Sequence, residues 1–152
     1  MHAQDLIREF GVSAGLPDFA LNESGMGRLM LDGDIVIDFE HDPTLDILHL
    51  YSTVARAPHA GGEAQLRLLM EANLFLERSS GATFALDSST GEFIACRRLD
   101  LEGLDSPMLL RLVEQLADAV ERLRSGLAAL EQLAAPAEEL GDWEPSPDML
   151  GG

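Results

Sequence analysis

Four histidines, His2, His41, His49 and His59, are the side chains in this chain best suited to hold a metal or move a proton near neutral pH. No two are spaced to share a helix face or one tight turn, so the pattern offers no zinc site. The carboxylates Asp32, Asp34, Asp38, Glu40 and Asp42 are clustered. A calcium loop, however, needs alternate oxygens in irregular backbone with a glycine at its middle, and these acids flank an alternating segment and read as a solvated face. Gly25-Met26-Gly27 is too short for a dinucleotide fingerprint and leads into a strand instead of a helix. Ser24, Asp46 and His49 supply the residue types of a nucleophile set, but no Gly-x-Ser-x-Gly elbow presents a serine. Asp46 and His49 also stand an odd number apart, so in one strand they point to opposite faces. An acid/base pair built from different strands is the enzymatic arrangement left open. Cys96, the only cysteine, lies in an alternating segment as a small core residue and excludes an internal disulfide. The pattern therefore assigns no catalytic residue, no metal and no cofactor.

Composition narrows the classes further. All ten basic residues are arginine against 27 acids, a net charge of −17. With no lysine, phosphate-loop, Schiff-base and kinase-type chemistry is excluded. The negative field disfavours nucleic acid and anionic membrane surfaces as partners. The first residues, Met1 to Glu9, carry acids where a secretory signal would be basic. The most apolar stretch, residues 64 to 76, is broken by Arg67, Glu71 and Asn73 and is too short to span a bilayer. A chain of 152 residues, 46% of them hydrophobic, has room for one domain with a core. The expectation is a soluble cytoplasmic protein without membrane insertion.

Hydrophobic spacing sets out the elements. Residues 3 to 10 place Leu6, Ile7 and Phe10 on one side of a two-turn helix that Gly11 would end. Residues 27 to 31 and 34 to 40 alternate around Asp32-Gly33, a hairpin signal because the turn needs positive φ. Ile35, Ile37 and Phe39 share one face; Asp34, Val36, Asp38 and Glu40 share the other. Residues 45 to 55 make a third antiparallel strand. Residues 63 to 78 form a helix closed near Gly81, with Leu66, Leu69, Met70 and Leu74 on a face toward the sheet. Its second apolar face, Leu68, Ala72, Phe75 and Leu76, calls for a partner chain. Residues 82 to 87 and 92 to 101 form a second hairpin. Ser106-Pro107 opens a last helix, and Leu109, Val113, Leu116, Val120, Leu123, Leu127 and Leu130 give it one buried seam to about residue 134. Residues 135 to 152, with five acids, prolines and no base, read as a disordered acidic tail in which Trp143 is the one aromatic. The fold class is α+β: a five-stranded antiparallel sheet with three helices, in the order α-β-β-β-α-β-β-α, over residues 1 to 134.

That order, with the stretch Leu68-Leu69-Met70-Glu71-Ala72-Asn73-Leu74-Phe75, then Gly81-Ala82-Thr83-Phe84-Ala85-Leu86-Asp87, then Gly91-Glu92-Phe93, resembles the class I chaperones of bacterial type III secretion, the Tir chaperone (CesT) family. The resemblance covers residues 1 to about 133. It implies a bacterial, virulence-associated homodimer around which the N-terminal segment of a secreted effector wraps in extended form, adding a strand to a sheet edge and seating apolar anchors, without ATP. The implied effector-binding residues are Leu6, Ile7 and Phe10 of the first helix and exposed positions of the meander, Leu29, Leu31, Ile35, Ile37, Leu48 and Leu50. The implied dimer contact is Leu68, Ala72, Phe75 and Leu76 with Phe84 and Leu86. The secretion ATPase is a further partner on this reading.

The residues alone support the same class: no catalytic signature, surplus apolar helix surface and heavy negative charge describe a protein that binds other polypeptides. Two alternatives stand beside it, a small α+β enzyme with a carboxylate or His49 in a sheet cavity, and an acidic mimic of nucleic acid.

Overall fold

The computed structural model describes residues 2–76 and 79–141, with side chains described as far as residue 133, residue 76 excepted. Helix α1 spans Ala3–Ser13. Three strands follow, β1 (Met26–Leu31), β2 (Ile35–Asp42) and β3 (Ile47–Arg56). Helix α2 (Glu63–Ala72) precedes β4 (Thr83–Asp87) and β5 (Glu92–Asp100), and α3 (Ser106–Gly141) closes the order. The five strands form one antiparallel sheet in the order β1-β2-β3-β5-β4, so β1 and β4 are its edges.

The local chemistry is that of the residues. Asp32 and Gly33 take φ of 50° and 83°, the paired positive values of a tight hairpin turn, and set Leu29 opposite Ile37. Period-two alternation then sorts the faces. Leu29, Ile35, Ile37, Phe39, Leu48, Leu50, Phe93 and Ala95 are buried on one face, which α1 and α3 cover. Arg28, Asp38, Glu40 and Tyr51 lie on the other, half-buried or exposed. The expected seam of α3 is buried from Leu109 through Leu127, with Leu130 half-buried. Phe10, Phe19 and Phe39 knit α1, the following loop and the sheet, with ring centroids 5.1 to 5.8 Å apart in edge or tilted contact.

Three boundaries differ from the expectation. Gly11 lies inside α1; a Cβ there would stand 2.6 Å from the Leu16 carbonyl oxygen, so the glycine serves the return of the loop and not the end of the helix. Helix α2 ends at Ala72, six residues early, because the Asn73 side chain turns to the edge strand and Phe75 adopts a left-handed backbone with φ 53°. Helix α3 continues past Pro136 to Gly141. Residues 142–152, which hold Trp143, lie outside the described residues.

Candidate functional site

The apolar residues expected to meet an effector are mostly core. Leu6, Ile7 and Phe10 of α1 are buried, as are Leu29, Ile35, Ile37, Leu48 and Leu50, while Leu31 is half-buried against the same core. The reason is a face assignment: these positions share the parity of Phe39, which α1 and α3 cover, so the meander exposes its other set. On the opposite parity Met26 and Met30 are the exposed apolar residues of β1, which the sequence reading passed over. Met30 is 62% exposed between two inward leucines, and period two alone would have marked it.

Beside Met30 a groove of about 380 Å³ runs between β1 and the loop after α1, lined by Leu16, Pro17, Phe19, Leu29 and Met30 with Asp18 and Arg28. Arg28 is already engaged: its Nε donates to Asp38 at 2.7 Å and its Nη2 at 3.3 Å, and that hydrogen bond, with the carboxylate's charge, holds the guanidinium firmly protonated. The groove borders an unpaired sheet edge. Met26 turns its main-chain groups outward: its N–H donates to Asn22 Oδ1 at 3.0 Å and its C=O accepts from Asn22 N–H at 2.8 Å. In an antiparallel pair the outward residues alternate, so Arg28 and Met30 also face outward. Among the described residues, nothing bonds to their main-chain groups. Such an edge is a template for another strand.

The second surface lies at the opposite edge. Leu66, Met70 and Leu74 are exposed along α2 and just beyond it; Phe75 is 83% exposed and Leu86 of β4 about half. A groove of about 240 Å³ between α2, β4 and α3 is lined by Leu68, Ala72, Phe84, Ala119 and Leu123 with Arg122. Of the residues assigned to a dimer contact, Phe75 and Leu86 are exposed, Leu68 is half-buried, Ala72 and Phe84 are buried walls of this groove, and the Leu76 side chain lies outside the described residues. The α2 face expected to meet the sheet is instead the solvent face, apart from Leu69.

Residues with acid/base potential do not converge. Ser24 sits in the loop before β1, Asp46 in the β2–β3 turn, and His49 within β3 between Glu40 and Arg98. The nearest approach is His41 Nε2 at 3.9 Å from the Asp46 carboxylate, beyond hydrogen-bonding range. Cys96 donates its thiol to the Thr83 carbonyl at 3.4 Å, and burial pushes its pKa up, the opposite of what a nucleophile requires. Burial also raises the Tyr51 phenol, helped by the Asp38 and Glu40 carboxylates. Among the described residues no group of three or more His, Cys, Asp or Glu could hold a metal, and no helix is long and apolar enough to cross a membrane.

An antiparallel sheet covered on one face by two helices, with one edge open beside an apolar groove, defines an α+β domain with a strand-accepting edge. Residues 5–124 match the family model of the Tir chaperone protein (CesT) family, and the chain belongs to that family. No curated protein sequence matches it. Among solved structures it is similar to a chain of the ExsC-ExsE complex, with 23% identity and a TM-score of 0.69 over 82% of this chain and 96% of that one. It is similar to a chain of the HopA1-SchA chaperone-effector complex, with 18% identity and a TM-score of 0.66 over 80% and 91%. It is also similar to a chain of the Yersinia pestis type III secretion chaperone SycH in complex with a stable fragment of YscM2, with 22% identity and a TM-score of 0.65 over 79% and 98%. These likenesses establish the three-helix, five-strand fold that the sequence implied.

Proposed function

We propose that this protein is a cytosolic type III secretion chaperone. It binds the N-terminal segment of one or more effectors as a homodimer, holding that segment soluble, partly unfolded and ready for export. The observation that carries the reading is the open β1 edge at Arg28 and Met30 beside the Leu16–Phe19 groove, in a member of the CesT family. Main-chain groups at an edge accept an extended segment whatever its sequence, and the groove takes alternate apolar side chains. Binding supplies the ordering entropy of the segment, so no nucleotide hydrolysis is required. The similar solved structures, one a chaperone-effector complex and one a secretion chaperone with a stable fragment of another protein, support a polypeptide as the ligand.

The second copy docks on the α2–β4 surface. Leu66, Met70, Leu74 and Phe75 are too apolar for a monomer to leave in water, and a positive φ at a non-glycine aromatic is retained where the residue has a task. Neither surface carries a reaction, which fits a binding protein and not an enzyme. The net charge of −17 on each chain keeps one chaperone–client complex apart from the next.

The test is to recover tagged protein from its own bacterium, identify the co-purified polypeptide by mass spectrometry and digest the complex with protease. A secreted protein whose N-terminal region alone stays protected, and which is lost from a Leu16→Glu, Met30→Glu variant, supports the reading. A compact monomer that retains no polypeptide contradicts it.

A further inference from the structure

The two edges of the sheet are treated differently, and two asparagines make the difference. At β4, Asn73 Nδ2 donates to the Phe84 carbonyl at 3.0 Å, and Asn73 Oδ1 accepts from the Phe84 N–H at 2.8 Å. A side-chain amide has the donor and acceptor of a peptide unit, so Asn73 occupies the place of one residue of a neighbouring strand. Strand β4 has five residues, and only Phe84 and Leu86 face outward along it. With Phe84 taken, Leu86 alone is left, too little to pair a strand. At β1, Asn22 performs the same office for Met26, through its Oδ1 and its own N–H. The loop then leaves the edge, and Arg28 and Met30 remain open as two consecutive outward residues.

We infer that Asn22 and Asn73 are the positioning residues that decide where, and in what register, a client strand joins this sheet. This rests on the chaperone reading and adds to it a single admissible window of four main-chain hydrogen bonds, from the N–H and C=O of Arg28 and Met30. The strand in that window is short. Its alternate side chains point into the Leu16–Phe19 groove and are apolar. The charge of the lining refines the partner further. Arg28 is neutralised by Asp38, which leaves Asp18 as the unmatched charge of the groove, so the client segment carries a basic residue at that end. Without the Asn22 side chain the Met26 N–H would join the window as a fifth main-chain group, while the residue-22 main-chain N–H would still hold the Met26 carbonyl. Without Asn73 a chain not yet covered by its second copy would have a second accepting edge, the hazard that unprotected edges carry.

The experiment is residue-resolved amide hydrogen exchange on the full chain, alone and with a synthetic peptide covering the protease-protected strand of the co-purified client. In the free protein the Met26 and Phe84 amides are protected while those of Arg28 and Met30 exchange freely. The peptide raises protection at Arg28 and Met30 by about tenfold or more and leaves Leu86 unchanged. In Asn22→Ala, which removes only the acceptor of the Met26 N–H, that amide loses protection when free and regains it with peptide. In Asn73→Ala combined with Phe75→Asp, so that no second copy covers β4, the peptide also protects Phe84 and Leu86, whereas Phe75→Asp alone leaves Leu86 unprotected. Asn73→Asp, which keeps the acceptor and loses the donor, is the milder variant should alanine loosen the end of α2. Peptide protection at Leu86 in the wild type, or a pattern unchanged in both variants, overturns the inference. If the whole client region binds while the peptide protects neither edge, the inference fails and the chaperone reading stands. If neither binds, the chaperone reading fails and takes the inference with it.

Discussion

Arg124 of α3 and Thr53 of β3 meet where the β3–β5 ladder slips: Arg124 Nη2 donates to the Thr53 carbonyl at 3.1 Å, and Arg124 Nε donates to the Val54 carbonyl at 2.8 Å. The β3–β5 register shifts between Thr53 and Ala55, past the end of the β2–β3 pairing at Tyr51, and the guanidinium fork bonds the two carbonyls there. A third contact, to the Asp34 main-chain oxygen at 3.4 Å, ties the β1–β2 hairpin to the same helix. Arg124→Ala is expected to lower stability by about 1–3 kcal/mol, and Arg124→Lys by most of that, because an ammonium cannot serve both carbonyls in one plane. Urea denaturation of the three proteins measures it.

The bulge and its arginine were not legible in the sequence, for an understandable reason. Nothing local in Thr53-Val54-Ala55 announces a slip, and the compensating residue lies some 70 positions away. The elements themselves were legible where local chemistry decides them: Asp32-Gly33 made the hairpin, and the heptad-like seam from Leu109 to Leu127 made α3. Helix α2 was overrun because Leu74, Phe75 and Leu76 continue an apolar pattern that only a tertiary bond, Asn73 to Phe84, interrupts. The site was half legible. The second apolar face of α2 follows from residue types and the strand-accepting edge was implied by the family resemblance, but which face of the meander is free depends on where two distant helices land.

That parity correction separates two kinds of variant. Phe10 is buried between Phe19 and Phe39, so Phe10→Ala removes core packing and is expected to cost about 3–5 kcal/mol. Leu16→Glu and Met30→Glu alter exposed groove walls and are expected to change stability by less than about 0.5 kcal/mol while weakening client binding by about tenfold or more. Thermal denaturation paired with titration of the client fragment distinguishes them; equal loss of stability in both kinds would return the groove residues to the core.

At the other surface, Phe75→Asp places a charge on the most exposed large apolar side chain of the described residues. The expected product is a folded monomer, with circular dichroism unchanged and the sedimenting mass halved relative to the wild type, because the residue contributes little to the fold of its own chain. A soluble dimer from this variant would remove Phe75 from the contact.

Cys96 gives a pH test of the open sheet face. Burial raises its pKa, so the thiolate is scarce at neutral pH and the rate of alkylation by iodoacetamide should lie below that of a free cysteine and climb only in more alkaline solution. Mass spectrometry of timed reactions across that range reads it; rapid labelling at neutral pH would mean that the sheet face is arranged differently around the thiol.

Reconstitution tests whether a dimer of this chain holds an effector segment extended without nucleotide. Purified chain is mixed, in buffer free of ATP, with the isotope-labelled N-terminal fragment of the co-purified client, and native mass spectrometry is combined with NMR of the fragment. Two copies of this chain per fragment are expected, with the fragment ordered only as local segments and lacking a tertiary fold of its own. A monomeric chain, or a fragment that folds by itself and leaves the protein unbound, would contradict it.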